Sequence, residues 1–436
     1  MRKCGILVHP TSFPSKYGIG DLGYGRKFVD FLKESGQKLW QILPLGHTGF
    51  GDSPYQSFST FAGNPLLISP DILEEEGLLE KEDIEYVPEF DSRHVEYGRV
   101  IDYKYDLYRK AFKRFDLKDK DYLKFCNENA FWLEDYALFM ACKNYFIAER
   151  KNTYESKEYR AYYKIASKVM DDDKVKDCFY GGAWNSFPKN LRDREESTLN
   201  EYREKLIDEV DFYKFIQFEF KKEWLEVKEY ANENGIEIIG DIPIFVAGDS
   251  SDTWSRRELF YINTKGFTTK AAGVPPDYFS KDGQLWGNPL YNWKKHKEED
   301  YDWWVKRTEK TLELVDIVRI DHFRGFESYW SVPMGEETAV KGKWNKGPGT
   351  EVFDAIYNKL GALNIIAEDL GNLNDEVIEL RDKLGLPGMK ILQFAFDSCK
   401  NSYLPHNYEK DNYVVYTGTH DNDTTIGWYS EQSDKD

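Results

Sequence analysis

Three acidic residues sit at or near the end of a short apolar run, and a fourth follows one closely. Asp241 lies in the run 236–242, Asp321 ends 315–321, Glu368 ends 365–368, and Asp421 comes soon after 413–416. Runs of this length rich in Ile and Val read as buried strands. The four carboxylates therefore stand at strand ends. Two facing carboxyl groups can break a glycosidic bond: one attacks the anomeric carbon and the other protonates the leaving oxygen. A retaining mechanism needs them roughly 5–5.5 Å apart, a gap that adjacent strands can supply. Arg319 precedes Asp321 by two residues, so the two side chains point to the same side of the strand. Its cation is expected to lower the Asp321 pKa and keep that carboxylate ionised, as a nucleophile requires. The competing reading is structural, since strand-end acids also cap helices and form salt bridges. Four on one rim, with His420 beside Asp421, argue for chemistry.

The elements that must carry these residues form a repeating pattern. A strand at 6–8 leads to a helix with Phe28, Phe31 and Leu32 on one face and Gly36 as its stop, then to a strand at 39–43. That β-α-β unit predicts parallel strands. Residues 71–230 break the rhythm with helical spacing and no obvious buried strand. Their last helix repeats apolar residues at Ile216, Phe220, Trp224, Val227 and Ala231, one face of a helix. The strand at 236–242 follows, then a long loop from 247 to about 300. Three more strands are read at 315–321, 365–368 and 390–396, with helices at Phe353, Ile356 and Leu360 and at Val377, Leu380 and Leu384. A seventh strand is read at 413–416.

This series predicts an α/β chain with a (β/α)8 TIM barrel, the runner-up being an open doubly wound sheet. Residues 1–70 and 231–436 would form the barrel, 71–230 a mainly helical insertion subdomain, and 247–300 a loop subdomain over the active site. No eighth strand or helix is legible, so the barrel is expected to lack a C-terminal portion. Active sites of such barrels lie at the carboxyl ends of the strands, where the four acids fall.

Composition narrows the partners. The 436 residues carry a net charge of -18, which repels nucleic acid and anionic membranes. A neutral substrate fits better. Aromatic residues make up 16% of the chain; most should be core, with a minority lining a groove where a flat ring suits a sugar. Five scattered cysteines without metal-like spacing suggest a reducing compartment. The apolar run after the N-terminal basic residues is too short for a signal peptide or a spanning helix, so a cytoplasmic location is expected. His9, His47, His322 and His420 raise a metal-dependent hydrolase as an alternative. No His-x-His or His-Glu-x-x-His pair supports it.

Ten segments together make the chain resemble the 4-α-glucanotransferases called amylomaltases or disproportionating enzymes, relatives of the α-amylase clan. Near the start are His9-Pro10-Thr11-Ser12, Trp40-Gln41-Ile42-Leu43-Pro44-Leu45-Gly46, Gly51-Asp52-Ser53-Pro54-Tyr55-Gln56-Ser57 and Ala62-Gly63-Asn64-Pro65. Gly240-Asp241-Ile242-Pro243-Ile244, Gly273-Val274-Pro275-Pro276-Asp277-Tyr278 and Gln284-Leu285-Trp286-Gly287-Asn288-Pro289 lie in the middle. The last three are Arg319-Ile320-Asp321-His322-Phe323-Arg324-Gly325, Ala367-Glu368-Asp369-Leu370-Gly371 and Thr417-Gly418-Thr419-His420-Asp421-Asn422.

The resemblance implies a retaining double displacement on α-1,4-glucans or maltooligosaccharides, with a sugar as acceptor. It implies Asp321 as nucleophile, Glu368 as acid/base and Asp421 as the carboxylate that steadies the transition state. It also implies that Asp241, Asn288, Arg319 and His420 hold substrate, that Tyr55 and Trp286 line the groove, and that no organic cofactor or catalytic metal is used. His322 is assigned no more than support of Asp321. Where the family commonly has Thr-Pro after Gly371, this chain has Leu373-Asn374-Asp375, and Asn374 is expected to cap the next helix as well. A plain α-glucan hydrolase and a non-catalytic glucan-binding protein remain as alternatives.

Overall fold

In a computed structural model of the chain, the structure describes residues 2–150, 154–276, 280–371, 373–408 and 410–432. Asp277 and Tyr278 of the motif that begins at Gly273 lie outside the described residues. Eleven strands are described: β1 (Gly5–Leu7), β2 (Leu39–Gln41), β3 (Glu237–Pro243), β4 (Lys270–Val274), β5 (Gln284–Pro289), β6 (Ile317–Asp321), β7 (Ser328–Pro333), β8 (Lys343–Lys346), β9 (Ile365–Ala367), β10 (Gly388–Ile391) and β11 (Tyr413–Tyr416). The chain divides into two units. The first holds 1–238, 245–300 and 330–343; the second holds 239–244, 301–329 and 344–436.

In the first unit β1 and β2 are parallel and joined by the helix Gly25–Glu34, which is the β-α-β unit expected. Its core face is Gly25, Val29 and Leu32. Phe31, expected on that face, is 52% exposed; it sits on the flank of a stripe centred on Val29 and Leu32, with its ring tilted against that of Phe28. Between residues 70 and 233 the elements are helical, the longest being Lys120–Arg150 and Ile207–Glu233. Ile216, Phe220, Trp224, Val227 and Ala231 are all buried, as their spacing requires. Gly63 meets this helix so closely that a Cβ would lie 1.9 Å from the Phe220 ring. The largest fully buried side chains of the unit include Trp40, Trp184, Trp224 and Trp254, so these rings are core.

The long loop read at 247–300 contains strands. β4 and β5 pair antiparallel, and β4 also pairs antiparallel with the Trp330–Pro333 end of β7. Lys270-Ala271-Ala272-Gly273-Val274 offers no β-branched alternation, and Gly287 and Pro289 interrupt β5, so neither strand has a local signature.

The second unit carries β3 from Ile239 onward. β6 pairs parallel with β3 on one side and with β9 on the other. The Ala367 N–H donates to Pro387 O at 2.9 Å, just before β10, and β10 pairs parallel with β11. The strands thus follow one another in chain order, separated by the helices Asp302–Leu314, Glu351–Leu360 and Asp375–Lys383. This is an α/β arrangement of parallel strands. The strand hydrogen bonding does not itself close a ring: β10 and β11 form a separate two-stranded sheet. Several strand bounds differ from expectation, one of them by more than two residues. The strand read at 390–396 runs from Gly388 to Ile391 and then turns into the 3-10 helix Leu392–Phe394. The departure at Asn374 behaves as expected, because its side chain accepts from the Val377 N–H at 3.4 Å. Among the described residues no helix is long and apolar enough to cross a membrane.

Candidate active site

The register of the parallel strands places the acids. Asp241 on β3 lies beside Arg319 on β6, and Ile320 lies beside Ala367 on β9. The next residue on each of those two strand ends is Asp321 and Glu368. Both therefore leave the sheet at the same level on adjacent strands. Val318, Ile320, Ile365, Ile366 and Ala367 are buried, as strands covered on both faces require, and they leave the carboxyls at the end as the polar groups.

Arg319 ties three positions together. Its Nη1 donates to Asp241 Oδ2 at 2.6 Å, and its Nη2 lies 2.9 Å from Asp321 Oδ1. The same-side placement of Arg319 and Asp321 is thus observed. Its electrostatic consequence is smaller than expected. Burial pushes the Asp321 carboxyl above the usual range, Arg319 pulls it down, and Asp241 and Glu368 push it further up. Desolvation wins over the cation. Asp321 is not sealed, since 29% of its side chain meets solvent.

Glu368 is held by main chain. Its Oε2 accepts the His322 N–H at 2.7 Å and its Oε1 accepts the Leu370 N–H at 2.8 Å. Its own N–H donates to Ile320 O at 3.0 Å, and its carbonyl accepts the Phe323 N–H at 3.1 Å. Burial raises the Glu368 pKa; Arg319 and the two N–H groups oppose this, and Asp369 adds to it. Two neighbouring acids, both biased toward the protonated form, suit one group that ionises and one that keeps its proton.

Two further groups shape this end. Asp369 forms a buried ion pair with Arg381 and accepts the Met389 N–H at 2.7 Å. Tyr403 has its hydroxyl pushed up to about 12 by burial, with Asp369 and Glu368 adding to the shift, so its phenol stays neutral near these acids. Tyr403 was not among the expected residues. It lies outside any strand end, in a Tyr-rich stretch with no periodic pattern, and no sequence signal marks it. His322 is expected only to support Asp321; its N–H contacts Glu368.

Asp421 is 73% exposed and its Oδ1 lies 3.3 Å from His420 Nε2, so it is not part of the buried group around Arg319. Tyr55, Trp286 and Asn288 belong to the first unit. There Asn288 is buried, accepts from Gln56 Nε2 at 3.0 Å and donates to Val246 O at 2.9 Å. Trp286 Nε1 donates to Gln284 Oε1 at 3.0 Å, and its ring lies 6.4 Å from that of Phe245. Tyr55 is half-buried, on the loop where its N–H donates to Ser53 Oγ. Among the described residues no three His, Cys, Asp or Glu gather in a way that could hold a metal ion.

Known proteins resemble the chain over nearly its whole length. A family profile described as 4-alpha-glucanotransferase matches residues 8–436. The 4-alpha-glucanotransferase of Clostridium butyricum is 46% identical over 434 residues, covering 98% of this chain and 82% of that protein. That of Thermus thermophilus is 47% identical over 437 residues, covering 98% of this chain and 80% of its own length. Among solved structures, the amylomaltase from Streptococcus agalactiae in complex with acarbose superimposes with a TM-score of 0.88 at 40% identity, covering all of this chain and 82% of that one. Parallel strands that bring Asp321 and Glu368 together, and a match over nearly the whole sequence, lead to one assignment: the chain belongs to the 4-α-glucanotransferase family.

Proposed function

We propose that this 4-α-glucanotransferase works by a retaining double displacement in which Asp321 is the nucleophile and Glu368 the acid/base. The observation that carries the reading is the pairing of two part-buried acids on adjacent strand ends, with Arg319 bonded to the first and main-chain N–H groups to the second. Asp321 attacks the anomeric carbon of an α-1,4-linked glucan while Glu368 gives its proton to the departing 4-oxygen. Glu368 then takes a proton from the 4-hydroxyl of the incoming sugar, which attacks the glucosyl–Asp321 ester and regenerates the carboxylate. Arg319 and Asp241 hold the sugar beside the bond that breaks. Asp421 steadies the positive ring and His420 orients it. Tyr55, Trp286 and Asn288 line the groove for further glucose units.

The parallel order of β3, β6, β9, β10 and β11 supports reading them as staves of a (β/α)8 barrel, with 71–230 as a helical insertion and 247–300 as a further subdomain. The five free cysteines support a reducing, cytoplasmic setting.

Incubation with maltotriose alone tests the activity. Transfer yields glucose plus oligomers longer than the substrate. Mainly glucose and maltose would instead mean hydrolysis, and no products would mean binding without turnover. Asp321→Asn and Glu368→Gln should each lower transfer by orders of magnitude while the protein stays folded. Near-normal rates in either variant would remove its assigned role.

A further inference from the structure

We propose that His322 is a positioning residue for Glu368, acting through its backbone conformation rather than its imidazole; the inference rests on Glu368 being the acid/base. His322 adopts φ 52 and ψ 47, the left-handed region. Gly adopts it freely, Asn, Asp and His more often than other residues, and Val or Ala rarely, so the turn limits which residues fit here. The constraint has a visible result. The chain leaves β6 at Asp321, turns at His322, and starts a 3-10 turn at Phe323. In that turn the His322 N–H points at Glu368 Oε2 at 2.7 Å, and the next N–H, of Phe323, reaches the Glu368 carbonyl at 3.1 Å.

With the chain held on both sides by β6 and the Phe323 turn, a negative φ at position 322 would require the 321–322 peptide to turn over, and Oε2 would lose its donor. The carboxyl would then be held only by Leu370 at Oε1 and could rotate about its last side-chain bond. The proton it passes to the leaving oxygen must lie along one line, so this rotation costs rate rather than binding. The groups that bear electrostatically on Glu368 are Arg319, Asp321, Asp369, Arg324 and Tyr403. All of them remain when residue 322 changes.

The test compares four variants at this position. His322→Gly and His322→Asn remove the imidazole but accept the left-handed conformation. His322→Val resists it, and His322→Ala resists it more mildly should the valine variant not fold. With maltotriose, the Val or Ala variant is expected to lose about tenfold or more in kcat with KM changed by less than about twofold. The basic limb of its kcat/KM profile should move to higher pH, because a carboxylate that loses an N–H donor binds its proton more tightly. Gly and Asn should rescue both properties. With α-maltotriosyl fluoride, whose leaving group needs no proton, first-turnover fluoride release by the Val or Ala variant should match the unsubstituted enzyme. Equal losses in all variants would assign the effect to the imidazole and overturn the proposal. So would an unaffected Val or Ala variant, or an equal loss with the fluoride. Glu368→Ala serves as the reference: if it also loses fluoride release, the acid/base assignment fails instead.

Discussion

Arg319 donates to Asp241 at 2.6 Å with almost nothing of either side chain exposed. Removing one member of a buried pair strands the other, at a cost of about 3–5 kcal/mol. Arg319→Met should therefore lower the urea midpoint by a corresponding amount. It should also raise the Asp321 pKa further, since the cation that opposes burial is gone. The acid limb of kcat/KM, which requires ionised Asp321, would then move to higher pH. An unchanged midpoint would contradict the argument.

Burial raises both Asp321 and Glu368 above the usual carboxylate range. A carboxyl whose folded pKa exceeds its unfolded value contributes stability that is complete below the unfolded pKa and is lost as pH rises through the folded one. The ionised pair is therefore a liability at neutral and alkaline pH. Asp321→Asn should be more stable than the unsubstituted protein at pH 8, by about 0.5–2 kcal/mol, while transfer collapses. The difference should shrink toward about pH 3, below the ordinary Asp value, where the carboxyl is mostly protonated in both states. Denaturant curves at the two pH values decide the matter.

Glu219, in the first unit, behaves in the same sense. Burial pushes its carboxyl up to about 7, and Lys222, which also bonds Glu76, only partly offsets this. Its contribution is full below the ordinary Glu value and disappears as pH climbs through about 7. Glu219→Gln should thus flatten the decline of Tm between about pH 5 and 8. A variant whose Tm falls in parallel with the unsubstituted protein would show that Glu219 does not titrate there.

Gly388 allows the Asp369–Arg381 pair to pass. A Cβ would lie 2.4 Å from Asp369 Oδ2 and 2.8 Å from Arg381 Nη1. Gly388→Ala should destabilise by about 1–3 kcal/mol, read by urea unfolding. A neutral result would mean that the pair shifts aside at no cost.

What could be seen in the sequence, and what could not, follows from where the information resides. Ile216 to Ala231 is legible because periodicity is a local property of burial, and Tyr413 to Tyr416 because aromatic and β-branched residues favour strands. The pairing of Arg319 with Asp321 was legible because strand geometry fixes which neighbours share a side. The strand β4 was not, because Ala and Gly carry no strand signal and its partners lie far away in the chain. The balance of forces on Asp321 was not either: a cation two residues away is visible, but the desolvation that outweighs it is a property of the packed interior. Asp421 shows the same limit. Its motif is evident in the sequence, yet its 73% exposure is a matter of what stands over it.

The bonds described for Glu368 come from peptide groups: the carbonyl of Ile320 in β6, the N–H groups of His322 and Phe323 just after it, and the N–H of Leu370. Every amino acid except proline brings the same N–H. The surrounding side chains can therefore be exchanged to retune groove shape or acceptor preference while the acid keeps its anchorage, so long as the new residues accept the same turn. For an engineer, this separates the tunable part of the site from the part that must stay: the former is side chain, the latter is chain path.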